Sequence, residues 1–255
     1  MVDSVWSGIE GVFDANLMLG RLPMHRAGGS LEQLLAVMDR VGIAEALVSS
    51  VTATYHEPAA GNKELSRLIG GNSRLAACWV ALPPGCGELP PLQRWMDEAR
   101  CVGVAGIRIY PRKHGWSLTS VDGMSLLAGV TEVGMPILVD SDEVSWADLE
   151  RIADAIDGAK LIVCQVGYRS MREAAGPLSR QNGLIVDLSY LGGHQALEWL
   201  VSEFGAHRVV FGTGAPVCDP AGAMGRLMWS GLDLSEIKLV AGGTMRALLG
   251  RGGPA

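Results

Sequence analysis

Several polar side chains in this chain fall where short apolar runs end: Asn16, Arg108, Tyr110, Asp140, Gln165 and Thr213. Apolar residues would avoid the desolvation cost at such places, so polar ones need a partner or a task. Arg108 and Asp140 close neighbouring runs. A guanidinium does not lose its proton and must find an acceptor. A nearby carboxylate can neutralise it and still leave N–H donors free for the carboxylate of a ligand. The pair therefore has two readings: an ion pair that plugs space, or an anion-binding arginine oriented by Asp140. Cys218 and His194 follow two successive runs, and adjacent loops could bring them together as thiolate and imidazole; neither has a motif around it. His194 otherwise reads as a polar helix entry. His56 and His114 lie in loops, and His25 and His207 read as surface residues. Cys164, next to Gln165, reads as a buried thiol pointing outward into packing.

Strand-like runs and helical patterns alternate along the chain. The runs are Gly11–Leu19, Ala44–Val51, Leu75–Leu82, Val104–Tyr110, Pro136–Asp140, Lys160–Val166, Leu184–Leu188 and Arg208–Thr213. Helices are predicted over Ser30–Val41, Asn62–Ile69, Pro91–Cys101, Asp122–Val133, Ser145–Ile156, Met171–Ser179, Gln195–Phe204 and Ala221–Trp229, with a further one over Ser235–Leu249. Ser30 with Gln33 has capping-box spacing, and Gly42, Gly103, Gly134 and Gly158 sit where a left-handed residue ends a helix. Repeated β-then-α units over 255 residues predict an α/β fold, a single (β/α)8 barrel of TIM type, residues 1–255, with an extra C-terminal helix. The competing open doubly wound sheet lacks a G-x-G-x-x-G after its first strand.

In a barrel, side chains alternate between lumen and helices, and sites form at the C-terminal strand ends. With Ala105, Ile107 and Ile109 facing the helices, Arg108 and Tyr110 point inward. The same alternation puts Asp14, Asn16 and Met18 on one face, Pro136, Leu138 and Asp140 on one, and Leu161, Val163 and Gln165 on one.

Composition narrows the partners. The chain is 48% hydrophobic with a net charge of −6 and has no basic run, which argues against nucleic acid. No apolar run approaches the roughly 20 residues of a membrane helix, and the first residues, lacking a basic stretch before an apolar run, predict no signal peptide. Five scattered cysteines, with no C-x-x-C, read as reduced thiols in a cytoplasmic protein. A small molecule and a second copy of the chain in a homodimer are the partners this leaves.

The opening Phe13-Asp14-Ala15-Asn16-Leu17-Met18-Leu19-Gly20 resembles the D-x-H-x-H-x-G start of amidohydrolase-related, metal-dependent hydrolases, with both histidines replaced. Phe211-Gly212-Thr213-Gly214-Ala215-Pro216 resembles their F-G-T-D-A-P, with glycine in place of the acid. Tyr55-His56-Glu57-Pro58, Gly106–Pro111 with His114-Gly115, Gly134–Val139, Val186-Asp187-Leu188-Ser189 and Arg246–Gly250 continue the likeness along most of the chain. The resemblance implies a distorted TIM barrel and metal ligands at the positions of Asn16, Met18, Asp140, Gln165 and Gly214. It also puts His114 at a family-typical loop position and Asp187 in a strand-end D-x-S segment. Zinc takes imidazole, thiolate and carboxylate, so of the five only Asp140 is a competent ligand. No cofactor is expected.

Three functions follow: a metal-free carboxylate-binding protein or inactive homologue; a metal-independent lyase, isomerase or cyclase; or a hydrolase with residual activity. Arg108, Asp140 and His114 are the catalytic candidates, with Asn16, Tyr110, Gln165, Asp187 and Thr213 around the substrate.

Overall fold

The computed structural model describes residues 11–23, 28–85 and 87–251; His25, Cys86 and the chain's first ten residues lie outside these. The elements, in order, are β1 (Val12–Arg21), β2 (Gly28–Gly29), α1 (Leu31–Val41), β3 (Ile43–Ser50), α2 (Val51–Tyr55), α3 (Pro58–Ile69), β4 (Leu75–Ala81), α4 (Leu92–Cys101), β5 (Val104–Ile109), α5 (Val121–Glu132), β6 (Ile137–Asp140), α6 (Trp146–Ala155), β7 (Leu161–Cys164), α7 (Met171–Arg180), β8 (Leu184–Asp187), α8 (Ala196–Phe204), β9 (Val209–Val210), α9 (Pro220–Met228), α10 (Leu234–Lys238) and α11 (Thr244–Leu248). All eight expected strands are present. The two-residue β2, antiparallel to β1, is an addition. The strand order β2-β1-β3-β4-β5-β6-β7-β8-β9 places the eight long-range strands in sequence order, as the (β/α)8 reading requires.

The sheet curls shut where β1 meets the segment after β9. The Ala15 N–H donates to the Phe211 carbonyl (2.8 Å), Gly214 N–H to the Asn16 carbonyl (2.9 Å), and Met18 N–H to the Ala215 carbonyl (2.9 Å). Asp14 supplies the side-chain clasp. Its carboxylate accepts the Thr213 hydroxyl (2.6 Å), the Thr213 N–H (3.1 Å) and the Asn16 N–H (2.9 Å).

Helix starts follow the expected chemistry. The Ser30–Gln33 capping box forms at α1, and Gly42 ends that helix in the left-handed region at φ 81°. Ser145 caps α6 by accepting the Asp148 N–H. Two departures stand out. The short α2 was not expected; Ser50 begins it by accepting the Ala53 N–H, and the Thr54 hydroxyl returns to the Ser50 carbonyl. The predicted Ser235–Leu249 helix is broken into α10 and α11 by a wider turn, Leu239–Gly243, in which Gly242 is extended at φ 173°. A Cβ on Gly242 would sit 3.1 Å from the Phe13 Cβ, so close passage over β1 interrupts the helix.

Two apolar shells separate inside from outside. The inner one joins Phe13, Ala15, Leu47, Cys78, Leu138, Ile162, Cys164, Ile185 and Val210 and is floored by Met245 of α11. The outer one sets the alternate strand residues, such as Leu17, Ile107, Val139, Leu161 and Val163, against the helices. This corrects two expected faces. Cys164 lies inside with Ile162, and Leu161 and Val163 lie outside; Gln165, at φ 58° beyond the end of β7, does not continue the alternation that predicts it on the face of Leu161 and Val163. Along β1 a register shift between Asp14 and Leu17 inserts a bulge, which resets the alternation; Phe13 and Ala15 face the lumen, so Asp14, Asn16 and Met18 do not share one simple face.

Burial pushes the Asp14 carboxyl up to about 6, against the lowering effect of the Thr213 hydroxyl. A folded-state value above the unfolded one of 3.8 means this group favours the fold most below about pH 4 and loses that contribution as pH rises through about 6. Thr213→Val removes the hydroxyl donor from the ionised form. It is expected to cost about 1–3 kcal/mol, more at pH 8 than at pH 5, in urea unfolding at the two pH values. An equal loss at both would contradict the assignment.

Candidate functional site

Arg108 occupies the middle of the lumen at the strand ends. It sits on β5 between Val80 of β4 and Leu138 of β6 in register, and is 1% exposed. Its Nη1 donates to Asn16 Oδ1 (2.5 Å) and its Nη2 to Asp140 Oδ1. Burial opposes its charge, but Asp140, together with Tyr110, Cys164 and Cys78, outweighs that effect and holds its pKa well above the ordinary value, so it stays a guanidinium. Asn16 carries the connection onward, donating its Nδ2 to Asp187 Oδ2 (2.8 Å). Asp187 also accepts the Gln165 N–H (3.0 Å) and the Ser189 hydroxyl (2.9 Å) and N–H (3.3 Å). Burial raises the Asp187 pKa and these bonds oppose the rise. Gly212 makes room for the arrangement: a Cβ there would lie 2.7 Å from Asp187 Oδ2 and 3.2 Å from the Asn16 Cβ.

The structure therefore brings Asn16, Arg108, Asp140, Asp187 and the Gln165 backbone into one hydrogen-bonded chain across β1, β5, β6, β7 and β8. Thr213 belongs to the Asp14 clasp beside it. Gln165 contributes its backbone, held at φ 58° by its N–H to Asp187 and by its carbonyl, which accepts the Ser141 hydroxyl (2.8 Å). A non-glycine residue in that region costs of order 1–3 kcal/mol and such positions gather at functional sites.

Four buried side-chain atoms among the described residues have no hydrogen-bond partner: Arg108 Nε, Tyr110 Oη, His114 Nδ1 and Trp116 Nε1. All four lie on β5 and the loop that leaves it. Tyr110 is 1% exposed, and its burial raises the phenol pKa despite the lowering by Arg108, so it remains a donor. His114 binds the Thr54 carbonyl through Nε2 (3.0 Å). A carbonyl only accepts, so Nε2 carries the proton and Nδ1 is left with its lone pair.

Residues above this layer escaped the sequence reading. Glu143 is buried and accepts the N–H groups of Arg112 (2.8 Å) and Lys113 (3.0 Å). Lys113 lies 4.4 Å from the Tyr110 ring centre, 4.9 Å from that of Tyr55 and 3.7 Å from Glu143 Oε1. A signal existed: the basic Arg112-Lys113-His114 and the acidic Ser141-Asp142-Glu143 follow adjacent strands. Conversely, Cys218 and His194 are not brought together. His194 lines a cleft with Glu198, Arg226 and Trp229. Cys218 borders a separate cavity of about 580 Å³ between β1, α1 and the loop after β9, and burial raises its thiol pKa. His56 and His207 are exposed.

The donor set at the five family ligand positions does not fit zinc. Asn16 and Asp140 are committed to Arg108, Met18 is a thioether, and Gln165 turns away from strand geometry. At Gly214 (φ 68°) a Cβ would lie 3.0 Å from the Ser189 Cβ and 3.4 Å from Cys218 Sγ. Among the described residues no three His, Cys, Asp or Glu side chains are grouped to hold a metal ion. No described helix is long and apolar enough to cross a membrane.

Solved structures share this architecture. A 5-carboxyvanillate decarboxylase from Sphingomonas paucimobilis superposes with a TM-score of 0.74 at 10% identity, covering 94% of this chain and 98% of its own. An amidohydrolase from Burkholderia multivorans with bound zinc gives 0.72 at 16% identity, covering 94% and 99%. An Acinetobacter baumannii protein with citric acid bound gives 0.69 at 11% identity, covering 94% and 99%. No match was found among curated proteins. The family model described as amidohydrolase matches residues 20–251, and with that extent the chain belongs to the amidohydrolase family.

Proposed function

We propose that this barrel is a metal-free binding protein for a small carboxylate, seated at its strand-end mouth, and that it does not carry out the family's metal-dependent hydrolysis. The observation that carries the reading is the pair of buried donors without a partner, Arg108 Nε and Tyr110 Oη. Each costs about 1–3 kcal/mol if left unmet, and both stand where sites of this fold form. Asp140 and Asn16 hold the guanidinium by its two terminal nitrogens, which leaves Nε for a ligand oxygen. Lys113 beside the Tyr55 and Tyr110 rings adds a second positive charge above it.

One observation favours catalysis instead. The Nδ1 lone pair of His114, buried and unpartnered, is suited to accept a proton in a metal-independent lyase, isomerase or cyclase. Mass analysis of the bound carboxylate after incubation separates the two readings: unchanged ligand supports binding, and conversion supports catalysis. A hydrolase with residual activity would require a metal.

Elemental analysis of the protein desalted without chelator is expected to show no stoichiometric zinc, manganese or iron. One equivalent per chain would overturn the metal-free reading.

A thermal-shift screen of small mono- and dicarboxylic acids is expected to give hits; a ligand at 100 times its Kd stabilises the fold by about 2.7 kcal/mol. Tyr110→Phe removes only an unpartnered hydroxyl. It should leave the unliganded Tm unchanged or higher and weaken the hit about tenfold, the worth of roughly one hydrogen bond. A hit that Tyr110→Phe leaves untouched would remove the phenol from the site.

Gly214→Asp restores the family acid in sequence alone. The positive φ and the Ser189 contact predict a loss of about 1–3 kcal/mol and no metal-dependent hydrolysis. Zinc-dependent turnover in this variant would show that the remaining positions can still hold the metal.

A further inference from the structure

We infer that the Arg108 guanidinium is this barrel's resident cation, supplied by the chain itself at the place where the family arrangement puts a metal ion. The inference stands apart from the ligand reading and rests on which groups Arg108 engages. Of the five family ligand positions, two carry side chains that accept from this one guanidinium, Asn16 through Oδ1 and Asp140 through its carboxylate. Asn16 then donates to Asp187. One fork thus ties the ends of β1, β5 and β6, and β8 through Asn16, as a multidentate metal would tie them.

The replacements make sense as a set on this view. A metal needs lone pairs from nitrogen, sulfur or charged oxygen. A guanidinium needs oxygen acceptors in a planar fork, which a carboxylate and an amide carbonyl provide. The amide at position 16 has the further property of passing a hydrogen bond on to Asp187. Charge follows the same logic. One guanidinium balances the carboxylate of Asp140. Gly214 adds no charge, and its Cβ space is taken by Ser189. The burial of Arg108, 1% exposed, makes the pairing obligatory: removing one partner of a buried pair strands the other charge.

The test is chemical rescue. Arg108→Ala is expected to lower the Tm by about 10 °C, as the loss of one member of a buried ion pair does in a chain of this size. Methylguanidinium at low millimolar concentration should restore part of that loss in Arg108→Ala and shift the wild type not at all. Methylammonium at the same concentration should restore less, because it lacks the fork. Zinc and manganese should restore none. A variant as stable as the wild type, equal responses of both proteins to methylguanidinium, or a larger rescue by zinc or manganese would each overturn the inference. Should Arg108→Ala not fold, the comparison moves to Arg108→Met against Arg108→Met/Asp140→Leu. The double variant, having no stranded carboxylate, should melt higher than the single one; a double variant that melts no higher would overturn the inference.

Discussion

A permanent positive charge in the centre of a barrel constrains everything around it. Arg108 cannot shed its proton and has almost no contact with water, so the surrounding strand ends must supply oxygen acceptors in the plane of its fork. Asp140 and Asn16 do so. Their commitment sets what the remaining groups can be. Asn16 has only its Nδ2 left to give, and Asp187 takes it. Asp187 in turn holds Ser189 and the Gln165 N–H, which keeps Gln165 in its left-handed turn. A single cation thus propagates through side-chain hydrogen bonds to the ends of five strands.

Barrel closure follows a parallel but separate logic. Asp14 directs both carboxylate oxygens to Thr213 and the bulged β1 backbone, and backbone bonds from Ala15, Gly214 and Met18 finish the seam. The clasp is neutralised by no cation, so desolvation dominates and the carboxyl titrates near neutrality. Asp14 and Asp140 thus differ in their partners: Asp140 has the Arg108 guanidinium, and Asp14 has only neutral donors. Outside the lumen the contrast repeats in arginines: the buried Arg208 is satisfied by the carbonyls of Leu178, Gln181 and Leu184 and, lacking a carboxylate, has its pKa lowered by burial.

Above the Arg108 layer the loops after β5 and β6 are pinned by Glu143, which gathers two backbone N–H groups and Lys113. His114 ties the same loop to α2 through Thr54. Glu143 and His114 thus anchor the segment that follows β5 next to the unpartnered Arg108 Nε and Tyr110 Oη.

The eight strands, the helices between them and the caps at Ser30 and Ser145 were legible in the sequence because they depend on local periodicity and short-range hydrogen bonds. So was the inward placement of Arg108 and Asp140, since β5 and β6 keep an unbroken alternation. What defeated the reading was whatever depends on contacts between distant segments. The β1 bulges arise in its pairing with β3, a distant segment, and break the regular alternation of faces along the strand. The left-handed Gln165, which takes that residue out of the strand alternation that predicts its face, is held by Asp187 and Ser141 from neighbouring strands. The break at Gly242 comes from its passage over Phe13. Glu143 and Lys113 look like ordinary charged loop residues until β5 and β6 lie side by side. The sequence by itself determined the order of elements and which residues end the strands; only the tertiary structure decided which of those ends share a charge, because a buried ion pair is a property of two segments and no local pattern encodes the partner.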